Sequence, residues 1–128
     1  MKRIIIDLDG TLTFDDRDVD YSLKRPRQDV VDKIRLYKSM GYEIVINTAR
    51  NMRTYCGSIG KINVHTLPII LEWLQAHNVP FDEVIVGKPW CGTEGFYVDD
   101  RALRPDEFAA MSPEQISLLI TSGAADER

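Results

Sequence analysis

The chain has 128 residues, a length that suits one domain, and 44% of them are hydrophobic, which is enough to form a core. Its formal net charge of -4 argues against a protein that binds nucleic acid through a broad basic face. No apolar run reaches the length of a membrane span and no signal peptide is visible, so we expect no membrane association. Two cysteines, Cys56 and Cys91, do not make a disulfide framework, which favours a cytoplasmic protein.

The first half of the chain shows two apolar runs separated by a helical pattern. Residues 3–6 predict a buried strand, and residues 42–46 predict a second one. Between them, an acidic stretch over 14–20 is either a solvated charge run or a flap over a site. Pro26 suits the first turn of the intervening helix, and Gly41 can close it. Its buried face is predicted from the spacing of Val30, Val31, Ile34 and Tyr37.

The second half of the chain continues the same alternation. In order, the pattern predicts a loop or short helix over 51–62, a helix from 66 or 67 to 77, strands over 83–86 and 95–98, a turn or short helix from 104, and a last helix to about 120. The buried face of the 66–77 helix is predicted to be Ile69, Ile70, Trp73 and Leu74. Ser112 and Gln115 form a capping box for the last helix. These elements predict one α/β domain over 1–122 with a mostly parallel sheet and a flexible tail over 123–128.

Two carboxylates, Asp7 and Asp9, follow the first strand directly. If the extended backbone continues through Asp9, both side chains point to the same side. One carboxylate can attack phosphorus while the other moves a proton, and Mg2+ can hold the first beside a phosphate. Gly10 would allow a sharp turn whose amides face phosphate oxygens. The alternative is an ordinary Asp-Gly turn in which Asp9 is a cap.

Each of the other predicted strands also ends in a polar side chain. Thr48 follows the second strand, Lys88 the third, and Asp99 with Asp100 the fourth. The carboxyl ends of parallel strands meet at one edge, where open α/β sheets bind ligands. Each residue alone has an ordinary structural explanation, but complementary groups at four strand ends indicate a functional site.

Taken in order, these residues resemble the four short motifs of the haloacid dehalogenase superfamily of phosphohydrolases. The motifs correspond here to Asp7-Leu8-Asp9-Gly10-Thr11, Thr48, Lys88 and Asp99-Asp100. The resemblance covers about residues 3–104 and implies a three-layer α/β/α Rossmann-like fold with Mg2+-dependent chemistry. Through the stretches 47–68 and 87–90, the chain is also similar to small bacterial phosphatases of capsule polysaccharide biosynthesis.

The resemblance implies a catalytic role for each of these residues. Asp7 is the nucleophile that forms an aspartyl-phosphate, and Asp9 is the general acid and then the base. Thr48 would hydrogen-bond the transferring phosphoryl group, and Lys88 would neutralise charge shared by Asp7 and phosphate. Members without an acid at the position of Asp9 tend to be dehalogenases or phosphonate-cleaving enzymes, so the resemblance implies a phosphatase.

The same resemblance implies a Mg2+ site. Its expected ligands are the Asp7 carboxylate, the backbone carbonyl of Asp9, and one of Asp99 and Asp100. We favour Asp99 as the direct ligand, with Asp100 acting through water or on Lys88, although the reverse order is also open.

The expected substrate is a small phosphorylated molecule or a phosphorylated saccharide. The residues expected to contact it are Gly10, Ala49, Arg50 and Arg53. A guanidinium fork suits an anionic substrate, and ordinary surface charge is the alternative for the two arginines. Two rival functions are phosphoryl transfer to an acceptor other than water and phospho-ligand binding without catalysis.

The intervals between the motifs are too short for the cap domain that many relatives insert there. Cover for the site must then come from a large substrate or from a neighbouring subunit, since shielding from water strengthens charge interactions. We favour a homo-oligomer whose contact involves the 51–62 loop, with Tyr55 and Ile59 as its exposed hydrophobic residues.

Overall fold

A computed structural model describes residues 1–122 as two compact units, which meet in sequence after Trp90. The predicted flexible tail over 123–128 lies outside the described residues. The prediction of a single domain over 1–122 stays a prediction, and each unit is described separately below.

The first unit contains a three-stranded parallel sheet. Its strands are β1 (Arg3–Ile6), β2 (Glu43–Thr48) and β3 (Glu83–Val86), in the order β1-β2-β3. The central strand is buried over Ile44–Ile46, in keeping with its run of β-branched residues. It extends two residues beyond its predicted end, so that Thr48 pairs with Val86 inside the sheet. The predicted α/β class with a parallel sheet is confirmed.

Helix α1 (Gln28–Ser39) connects β1 to β2 and packs against β2. The predicted face of Val30, Val31, Ile34 and Tyr37 is buried. Gly41, at φ +91°, follows the helix in the left-handed conformation that glycine adopts most readily. Pro26 was expected in the first turn, and this is wrong. It forms a bridge with Thr13 outside the helix, because the chain pairs with itself at the base of the acidic loop.

Helices α2 (Ile59–His65) and α3 (Leu67–Ala76) connect β2 to β3. The short helix allowed by the sequence over 51–62 is therefore present, and the Ser58 hydroxyl caps it by accepting from the Lys61 N–H. Helix α3 buries Ile70, Trp73 and Leu74, whereas Ile69 is 39% exposed. The predicted face was thus too wide by one residue, since Ile69 lies at the edge of the apolar stripe.

The acidic loop between β1 and α1 is tied to the rest of the first unit. It contains a short 3-10 helix (Tyr21–Leu23) that the sequence did not predict, and this helix packs against α3. The Trp73 indole N–H donates to the Lys24 carbonyl at 2.8 Å, and the Phe14 N–H donates to the Arg25 carbonyl at 3.0 Å. The described residues between β1 and β2 thus comprise this loop with its short helix, followed by α1.

The second unit begins at Cys91 and contains α4 (Pro105–Ala110) and α5 (Pro113–Thr121). The capping box of α5 is confirmed, because Ser112 and Gln115 exchange hydrogen bonds of 2.9 and 3.1 Å. The fourth strand predicted over 95–98 is wrong. Phe96 is 79% exposed and Val98 is 87% exposed, and the segment pairs with none of the described strands. A strand needs a partner for its backbone hydrogen bonds, which an apolar sequence alone does not provide.

Helices able to span a membrane are absent from the described part of the chain. Cys56 is exposed and Cys91 is partly buried, and both thiols are free.

Candidate active site

The carboxylate of Asp7 lies just beyond the end of β1 and meets a cation from the end of β3. The Lys88 ammonium is 3.6 Å from Asp7 Oδ1, and the Thr11 hydroxyl donates to Asp7 Oδ2 at 3.1 Å. The Lys88 N–H donates to the Thr48 carbonyl at 3.1 Å, which continues the pairing between β2 and β3 by one step. The parallel register therefore brings three predicted site residues to one edge of the sheet.

Burial raises the pKa of the Asp7 carboxyl above its ordinary value, because removal from water disfavours the charged form. The Lys88 ammonium, the Thr11 hydroxyl and the Leu8 N–H oppose this effect by stabilising the carboxylate, while the neighbouring charge of Asp9 adds to it. Asp7 is thus a poorly hydrated carboxylate beside a cation. Such a group reacts more readily than a fully solvated one, since less water has to be displaced.

Gly87 provides the backbone conformation that connects β3 to Lys88. Its φ of +87° lies in the left-handed region, and a Cβ at this position would overlap the Ile59 side chain. Any larger residue would therefore have to change the backbone conformation or move Ile59. Ile59, which we expected at a subunit contact, is 44% exposed and lies beside this glycine.

A tight turn, and not a continued strand, separates Asp7 from Asp9. The Leu8 carbonyl accepts from the N–H groups of Thr11, Leu12 and Thr13 at 2.9 to 3.2 Å, which bends the chain directly after β1. The condition under which both side chains would point to the same side, an extended backbone through Asp9, is therefore not met. Gly10 has a φ of +79°, as its predicted turn requires, and its N–H donates to the Thr13 hydroxyl at 3.3 Å. Its contact with a phosphate stays a prediction.

The carboxylate of Asp9 is held by Arg50. Arg50 Nη2 is 2.8 Å from Asp9 Oδ1, and Nε is 3.0 Å from Oδ2, which is the paired geometry that a guanidinium forms with a carboxylate. The Arg50 side chain is 1% exposed, and its remaining nitrogen, Nη1, has no hydrogen-bond partner among residues 1–122. The cation expected to meet substrate is thus engaged with Asp9. A substrate contact through Nη1 stays a prediction.

Tyr21 covers the other surface of this pair, and sequence analysis did not single it out. Its ring centre lies 4.1 Å from Arg50 Cζ, a cation–π contact. Burial and the charge of Asp9 raise the pKa of the Tyr21 hydroxyl, while Arg50 acts in the opposite direction. The acidic loop has no periodic pattern that distinguishes Tyr21, so only the folded chain reveals the stack of Tyr21, Arg50 and Asp9.

The remaining predicted residues after β2 have local roles. The buried Thr48 hydroxyl accepts from the Arg50 N–H at 3.1 Å, which leaves its own proton available for donation. The Ala49 carbonyl accepts from the Met52 N–H at 3.0 Å. Arg53 is exposed, with its guanidinium 5.7 Å from the centre of the Trp90 ring. Substrate contacts by Ala49 and Arg53 stay predictions.

The oxygen atoms of Asp7 and Asp9 in the first unit are chemically suited to bind a hard cation such as Mg2+. Asp7 offers a carboxylate, and among residues 1–122 no hydrogen bond ends on the Asp9 backbone carbonyl oxygen. No group of three or more His, Cys, Asp or Glu side chains among residues 1–122 is placed to hold a metal. This still suits Mg2+, which keeps several waters and commonly takes one or two carboxylates together with substrate phosphate.

Asp99 and Asp100 belong to the second unit. Both are exposed, and Asp99 Oδ1 accepts from the Arg101 N–H at 2.9 Å, which is a turn contact between neighbouring residues. Their expected role in metal binding stays a prediction.

Comparison with known proteins identifies a relative of the whole chain. No family model and no curated protein matches the sequence. Among solved structures, one chain of the Pnkp1/Rnl/Hen1 complex is 16% identical, with a TM-score of 0.53 over 97% of this chain and 43% of its own, which supports the fold alone. The crystal structure of a structural-genomics target from Vibrio cholerae is 58% identical and covers 100% of both chains, with a TM-score of 0.92. The chain therefore belongs to the same protein family as this Vibrio cholerae protein.

Proposed function

We propose that the protein is a Mg2+-dependent phosphomonoesterase of the haloacid dehalogenase superfamily, with the three-layer α/β/α fold of that superfamily. The observation that carries this proposal is the partly buried Asp7 carboxylate, 3.6 Å from the Lys88 ammonium and followed in the same turn by Asp9. A phosphorylated sugar or saccharide is the proposed substrate. The two free cysteines are in keeping with action in the cytoplasm.

In the first step, an oxygen of Asp7 attacks the phosphorus of the monoester. The bond between phosphorus and the leaving oxygen breaks, and Asp9, in its protonated form, gives its proton to that oxygen. The products of this step are a free alcohol and a phosphorylated Asp7. Lys88 offsets the charge that gathers between Asp7 and the phosphoryl oxygens, and the Thr48 hydroxyl can donate to one of those oxygens.

In the second step, water attacks the phosphorus of the aspartyl-phosphate. Asp9, now a carboxylate, takes a proton from the water as the bond to Asp7 breaks, and inorganic phosphate leaves. Arg50 orients Asp9 by hydrogen bonds to both oxygens of its carboxylate form, which is the form that acts in this second step. Mg2+, held by the Asp7 carboxylate and the Asp9 carbonyl oxygen, would neutralise phosphate charge when it is bound.

Two parts of the proposal rest on the sequence alone. Asp99 or Asp100 as a further Mg2+ ligand follows from the resemblance to the superfamily. A homo-oligomer follows from the short intervals between the motifs, which leave no room for a cap domain there. Of its two candidate contact residues, Ile59 is exposed, and the Tyr55 ring stacks on that of His65 with 5.6 Å between the ring centres. Phosphoryl transfer to an alcohol would share the first step and differ only in the acceptor. Binding of a phospho-ligand without turnover would leave Asp9 without a role.

Replacement of Asp7 by asparagine should abolish turnover of every phosphomonoester. The amide has nearly the size of the carboxyl group but is a poor nucleophile, so no covalent intermediate forms. Phosphate release should fall to background, while Asp32→Asn on the exposed surface of α1 should keep wild-type activity. Clear activity in pure, folded Asp7→Asn protein would remove Asp7 from the role of nucleophile.

The same variant should be more stable than wild type at pH 7. Because burial raises the pKa of Asp7 in the folded state, the folded protein binds its proton more tightly than the unfolded chain, and ionisation costs stability as pH rises. The gain in Tm should therefore shrink toward zero below about pH 4, the ordinary range of an aspartate. Melting curves of both proteins, recorded at steps of about half a pH unit between about pH 3.5 and 7.5, would measure this difference in Tm. A Tm difference that does not change with pH would contradict this account.

Removal of divalent metal should stop catalysis. We expect no phosphate release after treatment with a chelator, recovery on addition of Mg2+, and poor recovery with Ca2+, whose larger and looser coordination shell misplaces the carboxylate. Full activity in metal-free protein would contradict the proposed role of Mg2+.

Replacement of Arg50 by lysine should impair the proton transfer and not the nucleophile. A single ammonium cannot hold both oxygens of Asp9, so kcat/KM for an alkyl phosphate should fall by about 10- to 100-fold. For p-nitrophenyl phosphate, whose nitrophenolate leaves without a proton, the loss should be far smaller. Asp9→Asn should give the same contrast, with a larger loss for the alkyl ester. Equal losses for both esters in both variants would exclude the general-acid role of Asp9.

A further inference from the structure

The acidic loop between β1 and α1 lines a cavity of about 390 Å³ beside Asp9, which is open to solvent on one side. Apart from Asp9, its walls come from a single stretch of ten residues, and they are Asp15, Arg17, Val19, Asp20, Tyr21 and Lys24. The volume falls within the range of pockets that take small molecules, about 300–1,000 Å³. We propose that this cavity is the binding site for the leaving group of the substrate, and that this group is an uncharged polyhydroxylated alcohol, a sugar or polyol.

The position of the cavity follows from the proposed function, on which this inference rests. If Asp9 protonates the leaving oxygen, the rest of the leaving group has to lie next to Asp9. The cavity is the space that Asp9 borders, and Tyr21, which stacks on Arg50, forms another part of its wall. The residue that supplies the proton and the residues that surround the alcohol are therefore neighbours.

One cation of the wall, Lys24, has a largely buried side chain. Lys24 is 5% exposed, and among residues 1–122 its ammonium makes no hydrogen bond or ion pair. Its contact is the Tyr21 ring, whose centre is 5.3 Å away. The ammonium borders the cavity, where an oxygen atom of a bound ligand could accept a hydrogen bond from it.

The charges of the wall favour hydroxyl groups over a second phosphate or an apolar group. Asp9 is already paired with Arg50, which leaves Asp15 and Asp20 balanced against Arg17 and Lys24. A hydroxyl group can donate to either carboxylate and accept from either cation, whereas a second phosphate could only accept from the cations and would be repelled by Asp15 and Asp20. An apolar leaving group would contact only Val19 and the ring of Tyr21.

The loop that carries these side chains is fixed before substrate binds. The Arg27 N–H donates to the Leu12 carbonyl at 2.7 Å, and the Asp16 carboxylate is 3.2 Å from the Arg25 guanidinium. The Trp73 indole anchors Lys24 through its carbonyl. A preformed site loses little conformational entropy when the ligand binds, so these contacts support a binding wall and not a swinging flap.

Two esters with the same six-carbon chain test this inference: sorbitol 6-phosphate, which carries hydroxyl groups, and hexyl phosphate, which does not. Wild-type kcat/KM should be at least about tenfold higher for the sorbitol ester. Loss of a hydrogen bond to a charged group predicts that Lys24→Met lowers this value by about 10- to 100-fold, with less than a twofold change for hexyl phosphate. Lys33→Met, on α1 and outside the cavity wall, should change neither value.

Asp15→Ala provides a second variant, because Asp15 is exposed and its loss does not threaten the fold. It should lower kcat/KM selectively for sorbitol 6-phosphate, even if Lys24→Met proves poorly folded by circular dichroism. A wild-type preference for hexyl phosphate, or equal losses for both esters in Asp15→Ala, would overturn the leaving-group site. The proposed phosphatase function would survive that result as long as Asp7→Asn still abolished hydrolysis of both esters. Absence of Asp7-dependent hydrolysis would instead overturn the proposed function, and the leaving-group site with it.

Discussion

The ion pair between Asp7 and Lys88 requires three parallel strands in one register. Asp7 follows β1 and Lys88 follows β3, and β2 lies between them, so neither residue can reach the other unless both outer strands pair with β2 in the same direction. The Lys88 N–H donates to the Thr48 carbonyl, which carries this register beyond the strands and into the site. The stability of the sheet and the placement of the reactive groups therefore depend on the same backbone hydrogen bonds.

The two carboxylates of the turn, Asp7 and Asp9, pair with different cations, which gives them different electrostatic environments. Asp7 lies 3.6 Å from the partly exposed ammonium of Lys88. The Asp7 carboxylate therefore keeps an oxygen available to a substrate or a metal. Asp9 is held at both oxygens by a buried guanidinium, which is in turn covered by Tyr21. Carboxylates placed in different environments can take different roles in one reaction. In the proposed mechanism, Asp7 would be the nucleophile, and Arg50 would orient Asp9 for its proton transfers.

The loop between β1 and α1 gives the first unit a wall beside the site without an inserted domain. Its contact with Trp73 and the stack of Tyr21 on Arg50 connect it to α3 and to the residues after β2. Because Tyr21 contacts the cation that holds Asp9, a change of Tyr21 itself would act on the position of the proposed acid as well as on the space around it. In the proposed mechanism, substrate fit and proton transfer would thus be coupled through this one side chain.

The sequence by itself determined the order of β1, β2 and β3, the parallel α/β class, and the polar side chains that follow these three strands, because apolar runs and helical spacing act over short distances. Only the tertiary structure decided that the chain turns after Asp7, that Pro26 pairs with Thr13, and that residues 95–98 form no strand. The pairing of Arg50 with Asp9 and the stacking of Tyr21 join residues far apart in the chain. Such contacts depend on packing between distant segments, for which a single sequence carries no local signal.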